Sequence, residues 1–294
     1  MIMGRQRTEF IVKIFGEGLT EWYYFDALRS LERFPFTLEP NLPSKSKSSY
    51  KKRLPNIDKE LRRPQQERAN LIVLVTDLDN IVSSPSEHAK YLEAKRKYEA
   101  KGVVFIESHP CIELWFLYHF KPKFEKSNYT SYYEIKEDLE QYLNGYDKSR
   151  KYYSSDTGFK ENIISSYEKR VSASRCCRAS YKYEAVEGEV VNRSNIHSFI
   201  LFLYMLKWFY RIEDYIHDKI QRKMSLDIEC KGIEKINVKV GNANLFTLAH
   251  DGAVINCFSS TMPQELGLNG SYKDCQDILD IIEADLKAIL DSEV

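Results

Sequence analysis

Five acidic residues stand where chemistry could be done. Glu17 follows the apolar run Phe10-Ile-Val-Lys-Ile-Phe15, with Glu21 one helical turn further on. Asp77 and Asp79 follow the run Leu71-Ile-Val-Leu-Val75, and Glu113 follows Val103-Val-Phe-Ile106. Carboxylates brought together repel one another unless protonated or bridged by a divalent cation. Oxygen ligands select Mg²⁺ or Mn²⁺ over zinc, so Glu17, Asp77 and Asp79 are the expected metal set, with phosphate chemistry as its natural use. Glu113 could join as a ligand, orient one, or simply pair with a basic side chain. The plain structural alternative is that Glu17 and Asp77 are polar strand ends and Asp79 caps the next turn.

The elements that must position these residues are legible from periodicity. Each apolar run reads as a buried strand, and the segments between them read as helices. Trp22, Phe25, Leu28 and Leu31 recur at helical spacing up to Pro35, with Thr20 as N-cap. A charged helix is expected over about 87–100, another from Pro110 to before Pro122, and more at about 131–144, 158–173 and 195–223. Strands alternating with helices predict a parallel sheet, and ligands bind such sheets at the strands' carboxyl ends, where the carboxylates fall. Beyond Met224 the texture becomes alternating, with turn signals at Gly241-Asn242 and Asp251-Gly252. That predicts a small antiparallel sheet, closed by a helix over about 272–290. The expected division is a catalytic core at 1–125, a helical extension at 126–224 and a small α+β subdomain at 225–294.

The 294 residues carry no formal net charge, yet the charge is unevenly spread. Residues 1–70 hold 14 basic and 9 acidic side chains, 71–140 hold 9 and 12, 141–224 hold 15 and 10, and 225–294 hold 5 and 12. A nonspecific nucleic-acid coat is excluded, and a localised site for a polyanion is not. The segment over 41–56 contains Lys45, Lys47, Lys51, Lys52 and Arg53 and reads as an exposed mobile loop. With Lys148, Arg150 and Lys151 it could clamp a phosphate backbone while Tyr152 and Tyr153 stack on unpaired bases, or both runs could be solvated faces. Trp22, Phe25, Trp115, Phe116 and Phe120 read as core. His109 and His119 lack a metal-ligand spacing, and the six cysteines show no CxxC, so reduced thiols in the cytosol are expected. No run is long and apolar enough to span a membrane, and no GxxxxGK[ST] is present.

The order strand, Glu17-Gly18, helix, strand, Asp77-x-Asp79 resembles the TOPRIM domain of topoisomerases, primases and related nucleases. More closely, Glu17-Gly-Leu-Thr-Glu-Trp-Tyr-Tyr-Phe25 resembles the EGxTExxYF signature of the RloB-like family. Ser108-His-Pro-Cys-Ile-Glu-Leu-Trp-Phe-Leu-Tyr-His-Phe120 is similar to its SNPxFExWxLxHF block, and Tyr146-Asp-Lys148 to its later Y-x-K. The resemblance covers about residues 9–200. His109 and Ile112 depart from the family's Asn and Phe, and Thr76-Asp-Leu-Asp-Asn80 departs from its DRDD form. The fold expected is α/β: the resemblance implies a TOPRIM-like parallel sheet flanked by helices, and the sequence pattern adds a helical extension and a small C-terminal α+β subdomain at 225–294, which looks like an addition to the family core. The function implied is a cytoplasmic, Mg²⁺- or Mn²⁺-dependent nuclease of phage defence, encoded beside an ABC-type ATPase partner, as in ATPase-linked systems such as PARIS whose TOPRIM subunits cut tRNA. RNA is favoured over DNA as the nucleic-acid partner, and a homodimer is left open. A haloacid-dehalogenase-like phosphatase, which also uses DxD, leaves the Glu17 unit unexplained, and a noncatalytic binding subunit leaves the carboxylates unexplained.

Overall fold

A computed structural model describes residues 10–41, 49–155, 158–187, 192–220, 226–240, 242–252, 254–258 and 263–266. The chain divides after Ile200 into two compact units, Ile11–Ile200 and the residues that follow together with the N-terminal ten.

In the first unit, β1 (Val12–Phe15) leads into α1 (Leu19–Glu32), then β2 (Phe36–Glu39), α2 (Tyr50–Leu61), β3 (Leu71–Asp77), a short α3 (Asp79–Val82), α4 (Pro85–Glu99) and β4 (Val103–His109). There follow α5 (Glu113–Tyr118), α6 (Tyr132–Glu140), α7 (Arg150–Ser154), a π-helical turn over Lys160–Ser165, α8 (Tyr167–Glu187), β5 (Arg193–Ser194) and the start of α9 (Ile196–Ile220). The five strands form one sheet in the order β2-β1-β3-β4-β5, parallel except for the short edge strand β5. Val12, Ile14, Val73, Leu74 and Ile106 are fully buried, as expected of a parallel sheet covered by helices.

Strands β1, β3 and β4 and most helices fall where periodicity places them, β5 and α7 have no counterpart in it, and four further differences have physical causes. Residues 50–56 are helical, not loop: Tyr50, Leu54, Ile57 and Leu61 make an apolar stripe on α2 that packs on the core, although basic residues and Pro55 interrupt it in the sequence. The N-cap of α1 is Gly18, and Glu21 three residues on accepts its N–H at 2.8 Å, which leaves Thr20 for another partner. The strand β2 falls in the alternating Phe36-Thr-Leu-Glu39, right after the helix-stopping Pro35. The helix expected over 158–173 breaks at Ser166, whose extended backbone separates the π-helical turn from α8.

In the second unit an antiparallel meander runs β6 (Leu226–Lys231), β7 (Lys235–Val240), β8 (Ala243–His250), β9 (Ile255–Phe258) and β10 (Pro263–Leu266). Ile236, Val238, Phe246 and Leu248 are fully buried on one face; β7 alternates buried with partly exposed residues, whereas Leu245 and Thr247 bury the other face of β8 as well. The helix expected over 272–290 lies outside the described residues. No helix among the described residues is long and apolar enough to cross a membrane.

Candidate metal centre

Strand register delivers the site. Phe15 pairs with Leu74, so two residues on, Glu17 comes level with Thr76, whose hydroxyl donates to Glu17 Oε1. On the other side Asp77 pairs with Ser108, which brings the end of β3 against the turn that opens α5. There the N–H groups of Leu78 and Asp79 both donate to the carbonyl of Pro110, at 3.0 and 2.9 Å, and the N–H of Ile112 donates to Asp77 Oδ1 at 2.8 Å. The turn thereby places Cys111 and Glu113, two residues apart, beside Asp77.

Ligand atoms of Asp77, Cys111 and Glu113 lie within 4.8 Å of one another. Glu113 is completely buried. One of its oxygens accepts from Tyr146 Oη at 2.9 Å, and the other lies 2.9 Å from the Lys148 ammonium. Tyr146 Oη is 2.9 Å from Tyr153 Oη, which reaches Thr20 Oγ1 at 3.1 Å, so a hydroxyl chain ties the group to the start of α1. The Lys148 ammonium also stands 4.1 Å from the centroid of the Tyr132 ring.

The electrostatics are those of carboxylates pressed together out of water. Burial pushes the Asp77 carboxyl well up, and Glu21, Glu113 and Glu17 add to the rise against the pull of Lys148. Burial also raises Glu21, with Lys148 opposing and Glu113 assisting. Glu17 is pushed up to about 8, chiefly by burial, while its bond from Thr76 pulls the other way. Burial and then Glu113 and Asp77 hold the Cys111 thiol well above its usual range. Burial disfavours the Lys148 cation, but Glu113, Asp77, Cys111 and Glu21 outweigh it and keep the ammonium protonated.

A divalent ion fits this donor chemistry: two carboxylates and a sulfur converge where the surrounding charge is negative. The Cys111 sulfur stands beside two carboxylates in this group, and a soft donor favours transition ions relative to Mg²⁺.

The other expected residues are spread around this group. Asp79 opens α3, where its Oδ1 accepts from the backbone and side-chain N–H groups of Asn80 at 2.6 and 2.7 Å, outside the group of converging donors. Glu17 stands beside the group on the β1 side, and Glu21 caps α1. A Cβ on Gly18 would lie 3.0 Å from Glu21 Oε2, so the glycine leaves room for that cap. Arg53 donates to the Glu17 carbonyl at 3.1 Å, while Lys51 pairs with Glu87 and Lys52 is exposed on the same first turns of α2. Arg150 and Lys151 are exposed, whereas Lys148 is drawn in among the carboxylates. Tyr152 and Tyr153 are buried against Tyr146 and Phe159, so their rings are closed to bases. Lys45 and Lys47 lie outside the described residues. Sequence reasoning missed Cys111, Tyr146 and Thr76 as members of the site; the order of strand ends was the signal for Thr76, level with Glu17 in the register.

Phe25, Trp115 and Phe116 are buried core, Trp22 and Phe120 partly so, and Trp115 Nε1 donates to Tyr24 Oη at 2.8 Å. His119 is buried with its Nδ1 2.8 Å from the Trp115 carbonyl, and burial lowers it to about 3, so it is neutral. Cys111, Cys176, Cys177, Cys230 and Cys257 are free thiols.

A parallel α/β sheet with a buried carboxylate group at its carboxyl edge carries that group where ligands of open α/β sheets bind. A family model for the RloB-like protein matches residues 12–200, nearly the whole first unit. The chain belongs to the RloB-like family. No curated protein matches it.

Proposed function

We propose that the chain is a divalent-metal-dependent nuclease, the effector of a phage-defence system that works in the cytoplasm with an ABC-type ATPase partner. The observation that carries this reading is the convergence of Asp77, Cys111 and Glu113 at the carboxyl edge of the sheet, inside the region that matches the family. These three would hold the ion, which would supply charge neutralisation at a phosphate oxygen in phosphodiester hydrolysis. Glu17, poised near neutral pH beside them, suits a general base that takes the proton of an attacking water. Lys51 and Lys52, on the first turns of α2 near Glu17, suit a phosphate backbone passing over the site. RNA, tRNA first, is the substrate we favour over duplex DNA. With Tyr152 and Tyr153 buried, that preference rests on the likeness to tRNA-cutting TOPRIM subunits.

The test is incubation of purified protein with Mg²⁺ or Mn²⁺ and either tRNA or duplex DNA, beside Asp77→Asn. Metal-dependent cleavage of tRNA by the wild type alone is expected. Cleavage of DNA with intact tRNA would overturn the substrate, and no difference between the two proteins on either substrate would overturn the enzyme. A second reading, a noncatalytic subunit, is favoured by one feature: Asp77 and Glu21 already serve as backbone acceptors, for Ile112 and Gly18.

A further inference from the structure

Arg53, in the first turn of α2, reaches the turn between β1 and α1, where its Nη2 donates to the Glu17 carbonyl at 3.1 Å. A guanidinium has five N–H donors in a fixed fork. Its Nε is buried with no hydrogen-bond partner, and the side chain forms no ion pair among the described residues. Glu17, Glu21 and Glu39 act on it through space, yet each carboxylate is engaged elsewhere. Glu17 accepts from Thr76, Glu21 accepts the Gly18 N–H at 2.8 Å, and Glu39 stands 4.0 Å from the Lys13 ammonium. The basic neighbours differ, since Lys51 is paired with Glu87 and Lys52 lies at the surface.

A half-buried guanidinium with spare donors lacks the close counter-charge that a cation drawn out of water ordinarily keeps. Its planar fork matches two oxygens of one phosphate. The tether fixes where that phosphate lies, because the residue that holds the guanidinium by its carbonyl also carries the carboxyl read above as the general base. We propose that Arg53 binds the phosphate undergoing hydrolysis, its spare donors taking the non-bridging oxygens beside Glu17. The inference rests on the nuclease reading and deepens it by naming a residue that touches the reacting group. A cation of fixed charge at those oxygens stabilises the negative charge that grows in the transition state. Lys51 and Lys52 meet phosphates that do not react, so the two sets of residues separate in the kinetics: Arg53 weighs on kcat, the lysines on KM.

The experiment compares the full-length wild type, Arg53→Gln, Arg53→Lys and the double variant Lys51→Gln with Lys52→Gln. It measures tRNA cleavage in Mn²⁺ and, by calorimetry, binding of inorganic phosphate in Mg²⁺. The expected result is a kcat lower by about 10²-fold in Arg53→Gln and by about tenfold in Arg53→Lys, with KM and melting temperature close to the wild type's. The double lysine variant should raise KM by more than it lowers kcat, and phosphate should bind about tenfold more weakly to Arg53→Gln than to the wild type. A wild-type kcat in Arg53→Gln would overturn the inference and leave the nuclease reading intact, as would a rise in KM without loss of kcat. Phosphate binding left unchanged by Arg53→Gln would overturn it whatever the rates. If the wild type cleaves neither tRNA nor duplex DNA but binds phosphate through Arg53, the nuclease reading falls and the phosphate contact stands; absence of both cleavage and phosphate binding would overturn both. Should Arg53→Gln fail to fold, Arg53→Lys, which keeps the charge and loses the fork, carries the same comparison.

Discussion

Asp77, the last residue of β3, accepts the N–H of Ile112 at 2.8 Å and so joins the end of one strand to the opening of the helix after the next. One carboxylate thereby serves structure with one oxygen while standing among metal donors. The two roles are separable by substitution. Asp77→Asn keeps an oxygen acceptor for Ile112 and removes a charge that burial disfavours. It should melt at or above the wild-type temperature while losing metal-dependent cleavage by about 10²–10³-fold. Asp77→Ala removes the acceptor as well and should lose about 1 kcal/mol of stability. Thermal melts beside cleavage rates measure both.

The Cys111 sulfur stands among the carboxylates that could hold an ion. Wild-type protein should bind Cd²⁺ with a thiolate-to-metal absorption band in the ultraviolet, and Cys111→Ser should lack the band and shift preference from Mn²⁺ toward Mg²⁺. An unchanged Cd²⁺ spectrum in Cys111→Ser would remove the sulfur from the ligand set.

In metal-free protein the raised Glu17 carboxyl makes stability depend on pH. Its folded value of about 8 lies above the ordinary 4.5, so the folded state holds the proton more tightly than the unfolded chain. The Glu17 contribution to stability is full below about 4.5, falls as pH rises through the window and levels off above about 8. The difference in melting between wild type and Glu17→Gln in chelator should follow that course. Asp77 and Glu21 tilt in the same direction, whereas the lowered His119, Asp58 and Glu60 tilt in the opposite one.

Nucleic-acid binding should read the surface of α2 and ignore the buried tyrosines. Lys51→Gln with Lys52→Gln should weaken binding and reduce the slope of log affinity against log salt by about 1–2. Tyr152→Phe should leave that slope unchanged, because the ring is enclosed. Fluorescence anisotropy across a salt series distinguishes the two.

The strands were legible because the run Leu71 to Val75 is buried on both faces and therefore apolar without interruption, and because β1 is apolar but for Lys13. Their carboxyl ends pointed to Asp77 for the same reason. α2 was hidden because its stripe of Tyr50, Leu54, Ile57 and Leu61 is interleaved with Lys51, Lys52, Arg53 and Pro55, so composition outweighs periodicity. Cys111 was hidden because its neighbours in space come from another strand end, and a lone cysteine has no spacing to read. Lys148 reads in the sequence as part of a basic run that clamps a phosphate backbone or faces solvent, since linear charge does not reveal that Glu113, 35 residues earlier, receives it.

The carbonyl of Pro110, accepting from both Leu78 and Asp79, fastens the loop after β3 to the turn before α5 as one mechanical clasp. Asp77 rides on one half of the clasp, Cys111 and Glu113 on the other. Their mutual spacing is therefore held by main-chain bonds more than by the rotamers of surrounding side chains. Trimming Tyr146 or Lys148 alters the charge and protonation of the donors while the frame that spaces them stays fastened. Variants around the centre can thus be compared as changes in chemistry on a common frame, and a true disassembly of the site requires the clasp itself to open.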